Sequence, residues 1–351
     1  MKLNGTLMSG DTVVANIINA RLTIVNEQLL PLFLKNYSDI DSWLIGRAID
    51  KHRTNSRLLK KALRLTTADD IDIVLKVNAS TITDNYWFKQ VGSVLTYNDI
   101  KFKENMFDKL ALLGDPDSFN NEISSTPELT NIGSFEKCWR LIDHQWWLYK
   151  QGNALEIFSE LFIYQFGKAL GFCMAHYEQD GKHIRSLDFT NGATINFELA
   201  NGIVGEDEDY NLNFTKLKLL SDKCSKAYVE MIFLDTICFN MDRHTKNYGV
   251  MRDIKTGEVL ALAPNFDNNI VLIARGYPKD ATRKNDKLIA LFIEFIKNND
   301  EALIHFKNLN DSLINKKLIL NVLDSIQIEV NRDFICDFIL NAKEQIDMAL
   351  Q

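Results

Sequence analysis

The chain has 351 residues, of which 46% are hydrophobic and 25% are charged, proportions that are ordinary for a globular protein. This length predicts one large two-lobed unit or two domains rather than a minimal domain. The formal net charge of −7 argues against broad electrostatic binding of nucleic acid, although it leaves room for a local basic patch.

The cysteines and the N-terminal residues predict the cellular compartment of the protein. The five Cys are odd in number, scattered, and never spaced as CxxC, which argues against a zinc site and against a disulfide framework. The first residues lack the apolar core of a secretory signal, and no apolar run is long enough to cross a membrane. We therefore expect a cytoplasmic protein with reduced thiols and no membrane partner.

The first part of the chain has a mixed pattern. Leu22–Val25 and Ile71–Val77 are predicted strands, whereas Ser42–Asp50 and Ser56–Leu63 have the spacing of three and four typical of helices. The basic run Lys51–Arg64 fits the solvated face of a helix, and it also fits a patch for an acidic partner or nucleic-acid phosphate.

A polar segment then divides the chain. Gly114–Gly133 is rich in Asp, Asn, Ser and Thr and has little hydrophobic periodicity, which predicts a loop or linker. We place a boundary there and expect three regions. These are an N-terminal α+β region (1–113), a linker with a small lobe (114–221), and a helical lobe (222–351).

The elements after the boundary alternate more clearly. Trp139–Lys150 predicts a strand–turn–strand, and Glu156–Gly171 predicts an amphipathic helix that stops at glycine. Cys173–Glu178 and Lys182–Phe189 predict two strands joined by a turn, and Ala227–Asn240 predicts a buried helix. Four further helices are predicted near the C-terminus: Leu288–Lys297, Glu301–Lys307, Lys316–Ile328 and Arg332–Met348. This order predicts an α+β fold with two lobes, the first rich in strands and the second helical.

The most informative segment follows the buried helix. Asp242 is followed five residues later by Asn247, then by the predicted strands Tyr248–Arg252 and Glu258–Ala263, and then by Asp267. The two strands read as a short antiparallel hairpin, which returns the chain to its starting point. We therefore expect Asp267 to lie near Asn247, although 20 residues separate them.

Phosphoryl transfer needs this arrangement of side chains. One carboxylate faces the attacking hydroxyl, while a second carboxylate and an amide hold Mg²⁺ on the nucleotide phosphates. Protein kinases carry Asp-x-x-x-x-Asn in the catalytic loop and a metal-binding Asp further on. The Asp-x-x-x-x-Asn spacing alone is a weak signal, because ordinary loop residues match it by chance. The helix before it, the hairpin, and the later Asp together make ATP with Mg²⁺ the predicted ligand.

A kinase also needs a lysine on a strand and a glutamate on a helix to hold it. Lys150 ends an apolar predicted strand, and Glu160 follows ten residues later on the next helix. Glu156 is an alternative, since it lies one turn away on the same helical face. Phe189 lies where the adenine hinge of a kinase would be, although a core aromatic residue fits the pattern equally well.

These motifs resemble those of the HipA-like serine/threonine kinases. The strings DRHTKN (Asp242–Asn247) and APNFD (Ala263–Asp267) resemble that family's catalytic and metal motifs. TNIGSFEK (Thr130–Lys137) is similar to its phosphate loop, and WLYKQGN with the following helix resembles its nucleotide-lysine strand. The resemblance covers roughly 130–269 and favours Glu160 over Glu156.

The resemblance implies roles for these residues. Asp242 would be the catalytic base, Asn247 and Asp267 would bind Mg²⁺, and Lys150 would contact the phosphates. Gly133 and Ser134 would approach the nucleotide phosphates in the loop, and His244 would either touch phosphate or pack the catalytic loop.

The resemblance also implies self-modification. Family members phosphorylate a residue of their own phosphate loop, and the matching position here is Thr130, with Ser134 nearby. The family usually has serine at that position. We predict that any autophosphorylation falls on Thr130 or Ser134 and lowers activity, because a phosphate adds about −1.5 to −2 charges beside the nucleotide site. Incidental hydroxyls on a surface linker are the alternative.

The sequence thus predicts an ATP- and Mg²⁺-dependent serine/threonine protein kinase. The choice of a protein substrate rests on the resemblance alone. A small-molecule kinase with the same machinery is one alternative, and a non-catalytic module that holds a partner through the basic run is another. The region 1–113 does not clearly match the family, and an antitoxin-like protein is kept as a candidate partner.

Overall fold

A computed structural model describes residues 3–48, 69–103, 137–271, 285–309 and 314–351. Its strands are β1 (Gly5–Ser9), β2 (Thr12–Ile18), β3 (Arg21–Ile24), β4 (Tyr86–Gln90), β5 (Lys137–Ile142), β6 (Gln145–Gln151), β7 (Tyr177–Asp180), β8 (His183–Leu187), β9 (Ile195–Leu199), β10 (Gly249–Asp253) and β11 (Val259–Leu262).

The described residues form twelve helices. They are α1 (Leu32–Tyr37), α2 (Ile40–Ile45), α3 (Asp70–Lys76), α4 (Tyr97–Ile100), α5 (Ala154–Ala169), α6 (Asn201–Val204), α7 (Tyr210–Leu220), α8 (Asp222–Cys238), α9 (Asp286–Lys297), α10 (Asp300–Lys307), α11 (Lys316–Asp324) and α12 (Arg332–Leu350). The predicted α+β class is confirmed. None of the helices described here is both long and apolar enough to span a membrane.

Three sheets contain the strands, in the orders β3-β2-β1-β4, β5-β6-β8-β7 and β11-β10-β9. The β5–β6 hairpin is the predicted strand–turn–strand, with Lys137 opposite Lys150 and Ile142 opposite Gln145. Asp143 and His144 form its turn with φ of 50° and 62°, the backbone that a two-residue hairpin turn requires.

Most of the predicted elements form at or near their expected positions. Strand β3, the hairpins β7–β8 and β10–β11, and the helices α5, α8, α9, α10 and α12 are confirmed. Three predicted elements are shorter than expected, because α2 ends at Ile45, α11 ends at Asp324, and β7 begins only at Tyr177. The strands β1, β2, β4 and β9 were not expected from the sequence.

The prediction of a strand at Ile71–Val77 is wrong, because α3 contains all of these residues except Val77, which is its C-cap. The side chain of Asp69 caps this helix by accepting a hydrogen bond from the Asp72 backbone N–H at 2.8 Å. Ile71, Val74 and Leu75 pack against the same apolar core, which is the spacing of one helical face. The alternation in DIDIV resembles a strand over too few residues to separate the two periods.

The chain divides into two compact units, each built from discontinuous segments. The first contains 1–151, 185–198 and 251–260, and the second contains 152–184, 199–250 and 261–351. The predicted boundary segment Gly114–Gly133 lies outside the described residues, as do Ser56–Leu63 and the basic run Lys51–Arg64. The three predicted regions therefore stay predictions.

Each unit has its own core. In the first unit, the inner face of the β3-β2-β1-β4 sheet packs on α1, α2 and α3. In the second unit, aromatic rings of α8, α9 and α10 contact one another. They are Phe233, Phe292, Phe295 and Phe306, with centroids 5.2–6.3 Å apart. All five cysteines lie within the described residues as unbridged thiols, and four of them are buried.

The β10–β11 turn requires glycine at position 257, so a substitution of Gly257 should lower the stability of the protein. It has φ of 72°, and a Cβ at this position would lie 1.9 Å from the backbone oxygen of Gln28. We expect Gly257→Ala to lower the free energy of unfolding by roughly 3 kcal/mol or more, since left-handed strain and a backbone clash act together. Chemical denaturation monitored by circular dichroism measures this loss.

Gly92→Ala is the matched control for that variant. Gly92 has φ of 79°, and none of the described atoms lies within 4 Å of the point that a Cβ would occupy. It therefore carries the backbone strain without the clash, and we expect a loss of about 1–2 kcal/mol. Equal losses for the two variants would contradict the role given to the Gln28 contact.

Candidate active site

The Asp242 loop begins where α8 ends. Phe239 takes a left-handed conformation with φ of 57°, which stops the helix, and the Asn240 backbone N–H donates to the Asp235 carbonyl at 2.8 Å. The Asn240 side-chain oxygen then accepts from the Asp242 backbone N–H at 3.1 Å. This turn leaves the Asp242 side chain exposed to solvent.

Asn247 lies at the other end of the same loop and is buried. Its backbone N–H donates to the His244 carbonyl at 2.8 Å, and its side-chain Nδ2 donates to the Asp242 carbonyl at 2.8 Å. The side-chain nitrogen of Asn247 is thus hydrogen-bonded within the loop, which leaves Oδ1 as the atom that a cation would contact. The His244 ring accepts from the Lys246 N–H at 3.2 Å, so its ring contact in this loop is structural.

The hairpin returns the chain to this loop, as expected. Beyond it, Asn265 is held on both sides, because its N–H donates to the Cys173 carbonyl and its carbonyl accepts from the Ala175 N–H, each at 2.9 Å. Two residues later, Asp267 is half-buried with φ of 62°. A non-glycine residue in this region is strained and persists only where its surroundings hold it.

Arg243 is the residue that joins the loop to the Asp267 segment. Its side chain is buried and forms a two-point ion pair with Asp235 of α8, with Nε–Oδ2 at 2.7 Å and Nη2–Oδ1 at 3.0 Å. One nitrogen, Nη1, donates both to the Asn247 carbonyl at 2.8 Å and to the Phe266 carbonyl at 2.9 Å. A single guanidinium therefore bridges the two predicted metal-ligand segments.

Two buried asparagines complete the shell around this guanidinium. Nη2 donates to the side-chain oxygens of Asn265 at 2.9 Å and Asn268 at 2.7 Å. Burial by itself lowers the pKa of Arg243, but the charge of Asp235 and its hydrogen bond, and then the charges of Asp267 and Glu160, raise this pKa above its usual value. The guanidinium is therefore a permanent positive charge among three carboxylates.

The Asp267 segment is also held through its backbone. The Asp267 N–H donates to the Tyr177 hydroxyl at 3.1 Å, and the next N–H, of Asn268, donates to Glu160 Oε2 at 2.9 Å. Tyr177 belongs to β7 and Glu160 to α5, and both side chains are buried. The backbone of a strained residue is thus clamped on both sides of its Cα atom.

The structure shows different contacts for the two glutamates that the sequence analysis considered. Glu156 belongs to a capping box at the start of α5, where its carboxylate accepts from the Asn153 N–H at 2.8 Å. Glu160 is fully buried and contacts the Asp267 segment. Helix capping therefore accounts for Glu156, and Glu160 is the one that reaches the candidate site.

The remaining predicted residues belong to the first unit or lie outside the described residues. Lys150 is buried at the end of β6, and Phe189 packs edge-on against Phe197 at 5.3 Å, both in the first unit. Their proposed nucleotide contacts stay predictions. Gly133, Ser134 and Thr130 lie outside the described residues.

Oxygen donors dominate the site and fit Mg²⁺. The Asp267 carboxylate and the Asn247 amide oxygen are hard ligands, the type that Mg²⁺ takes alongside phosphate oxygens and water. Neither thiolate nor imidazole is part of the pair, so softer transition metals gain nothing there. The donor set therefore suits the metal that the sequence predicts.

Sequence reasoning missed the residues that hold this site together, which are Tyr177, Asp235, Asn240, Asn265 and Asn268. Asp235 gave a readable signal, since a carboxylate inside the apolar helix segment IFLDTIC needs a buried partner. The asparagine-rich string NFDNN was a second signal. Nothing in the sequence marks Tyr177.

Solved structures with this architecture are known. The chain is similar to HipA of the Shewanella oneidensis MR-1 toxin–antitoxin system, solved with HipB and operator DNA, at TM-score 0.56 and 11% identity, covering 99% of this chain and 96% of that one. It is also similar to the Helicobacter pylori proinflammatory kinase CtkA, at TM-score 0.51 and 17% identity, covering 61% of this chain and 92% of that one.

Sequence comparison gives no further relatives, since no family model and no curated protein sequence matches this chain. The structural similarity nevertheless establishes that the chain has a HipA-like kinase fold.

Proposed function

We propose that this protein transfers the γ-phosphoryl group of ATP, with Mg²⁺, to a serine or threonine hydroxyl of a protein. The observation that carries the proposal is the double hydrogen bond of Arg243 Nη1, which joins the Asn247 and Phe266 carbonyls. It ties the loop that bears Asp242 to the segment that bears Asp267. A kinase needs these two segments in fixed register.

Asp242 is the proposed catalytic base. Its carboxylate is exposed at the end of a fixed turn, where an incoming hydroxyl can reach it. It accepts the hydroxyl proton while the hydroxyl oxygen forms a bond to the γ-phosphorus. The bond between that phosphorus and the β–γ bridging oxygen breaks, and ADP leaves with the electron pair. The protein then carries a phosphate ester, and the proton passes from Asp242 to solvent.

Asn247 and Asp267 are the proposed metal ligands. Bound Mg²⁺ would neutralise the phosphate charge that develops during transfer. Asn247 presents Oδ1 because Nδ2 is engaged with the Asp242 carbonyl, and Asp267 is fixed by the bonds to its own and the next backbone N–H. Lys150 is the proposed phosphate-contacting lysine, Glu160 the proposed helix glutamate, and Phe189 the proposed adenine-site residue.

Metal dependence is the first test. We expect Mg²⁺ to strengthen ATP binding to the wild-type protein by about 5–150-fold, the usual range for coupling between two ligands. Asp267→Asn should remove most of this coupling, since a neutral amide replaces the charged ligand. Isothermal titration calorimetry with Mg²⁺ and with a chelator measures both affinities.

Asp41→Asn is the control for the metal test. Asp41 is exposed in the first turn of α2, so its substitution removes the same charge from the first unit rather than from the unit that holds the site. Its Mg²⁺ coupling should equal that of the wild type. Equal ATP affinity with and without Mg²⁺ in the wild type would reject the metal assignment.

The substrate class is the finer part of the proposal and rests on the resemblance to HipA-like kinases. Incubation with labelled ATP and Mg²⁺, followed by mass spectrometry, distinguishes the outcomes. Phosphate on serine or threonine of this chain or of an added protein supports a protein kinase. Label only in small molecules supports a small-molecule kinase, and ATP binding without any transfer supports a non-catalytic module.

An antitoxin-like protein is the proposed partner. The support is that the HipA structure matching 99% of this chain was solved with HipB. Affinity purification of this chain from its native cells tests whether one small protein co-purifies with it in constant proportion. The exposed Lys246→Glu variant is purified in parallel as a folded comparison. A chain that elutes alone would reject this partner.

A further inference from the structure

The Tyr177 hydroxyl holds the Asp267 segment but takes no part in the proposed transfer step. Its oxygen accepts the Asp267 backbone N–H at 3.1 Å, and the tyrosine is only 3% exposed. Because the acceptor is a side-chain atom, a substitution that removes this one atom also removes the hydrogen bond. Tyr177→Phe makes this change while it keeps the aromatic ring.

The backbone conformation of Asp267 gives this contact its importance. With φ of 62°, Asp267 lies in a region that costs a non-glycine residue on the order of 1–3 kcal/mol unless neighbours hold it. The hydrogen bond from its own N–H is the one closest to the strained φ torsion. Releasing that N–H allows the residue to relax and to swing its carboxylate.

The Tyr177 ring is well placed to resist such relaxation. It packs against the Tyr164 ring of α5 with centroids 6.4 Å apart. Tyr164 is fixed in turn, because its hydroxyl bonds to His176 Nδ1 at 2.6 Å and its ring stands edge-on to His176 at 5.1 Å. The hydroxyl that meets Asp267 therefore belongs to a side chain with little freedom to move.

We propose that Tyr177 is a positioning residue for the metal site. It holds Asp267 in its left-handed conformation and so presets the carboxylate for Mg²⁺. This inference rests on the proposed function. It differs from the role of Glu160, which holds the following N–H and whose charge also acts on Arg243.

Preorganisation of this kind has a measurable signature. Tyr177→Phe should raise the Mg²⁺ concentration needed for half-maximal ATP binding by about 3–10-fold, the effect of one lost hydrogen bond. Affinity for ATP without metal should not change, since the Tyr177 hydroxyl acts on the metal-ligand segment rather than on the nucleotide. In the ligand-free protein, amide hydrogen exchange at Asp267 should quicken by a similar factor.

Tyr164→Phe is the matched control. It makes the same chemical change one ring away and removes the bond to His176 while the Asp267 N–H keeps its partner. Because its ring still packs against Tyr177, its Mg²⁺ requirement and its exchange rate at Asp267 should stay much closer to those of the wild type than those of Tyr177→Phe. Thermal unfolding of both variants confirms that the comparison is made between folded proteins.

The outcomes separate the two proposals. If wild-type protein shows Mg²⁺-linked ATP binding and both variants behave alike, the role of Tyr177 is overturned while the proposed function stands. If the wild type shows no Mg²⁺-linked binding, both proposals fall. A Tyr177→Phe variant with faster exchange at Asp267 but an unchanged Mg²⁺ requirement would also overturn the positioning role.

Discussion

Asp242→Asn should lower the rate of phosphoryl transfer by about 10²–10⁴-fold, which is the usual effect of losing one positioned base. The amide cannot accept the proton of the attacking hydroxyl, yet it has the shape of the carboxylate. ATP affinity should stay close to that of the wild type, because Asp242 acts on the hydroxyl and not on the nucleotide. Single-turnover transfer and calorimetry measure the two effects separately.

Asp222→Asn is the control for this loss. Asp222 is an exposed carboxylate in the first turn of α8, within the same unit as Asp242. Its transfer rate should stay within a few-fold of the wild type. An Asp242→Asn variant that kept a comparable rate would show that another group takes the proton, and it would refute the base assignment.

Arg243→Gln should lower both the free energy of unfolding and the activity. Glutamine cannot balance the buried Asp235 carboxylate, and breaking a buried ion pair from one side costs about 3–5 kcal/mol. The Asn247 and Phe266 carbonyls also lose the nitrogen that bridges them. We expect chemical denaturation to report the first loss and Mg²⁺-linked ATP binding to report the second.

Arg252→Gln separates these two consequences. Arg252 forms a buried ion pair with Glu198, and it donates to the Leu30 and Gln28 carbonyls at 3.0 and 2.8 Å in the other unit. We expect Arg252→Gln to lower the free energy of unfolding by a comparable amount, whereas the folded variant should keep its Mg²⁺-linked ATP binding. Similar Mg²⁺ coupling in the two variants would contradict the bridging role of Arg243.

A double substitution tests whether charge balance alone explains the effect of losing Arg243. In the Asp235→Leu, Arg243→Met double variant, apolar side chains replace both charges, and such replacements often recover stability. We expect the double variant to unfold at a higher denaturant concentration than Arg243→Gln. Its Mg²⁺ coupling should stay low, because methionine cannot donate to the two carbonyls. Recovery of both properties would show that charge balance alone matters at this position.

The sequence by itself determined the order of the parts of the candidate site. The spacing of Asp242 and Asn247, the hairpin after them, and Asp267 beyond it are local features, set by turn residues and strand patterns within a short stretch. The amphipathic period of α5 and of the C-terminal helices is equally local, and long periodic segments are the easiest to read. For the same reason the short segment 71–77 was misread as a strand.

Tertiary structure decided which residues hold these parts in place. Arg243 meets Asp235, Phe266 and Asn268, and Tyr177 meets Asp267 across 90 residues of chain. Such contacts depend on which helix and strand pack together, and neither spacing nor composition records that choice. The same holds for Glu156 and Glu160, which share a helical face in the sequence. Only the packing of α5 shows that one caps the helix while the other reaches the Asp267 segment, because burial and hydrogen bonding are properties of the folded chain.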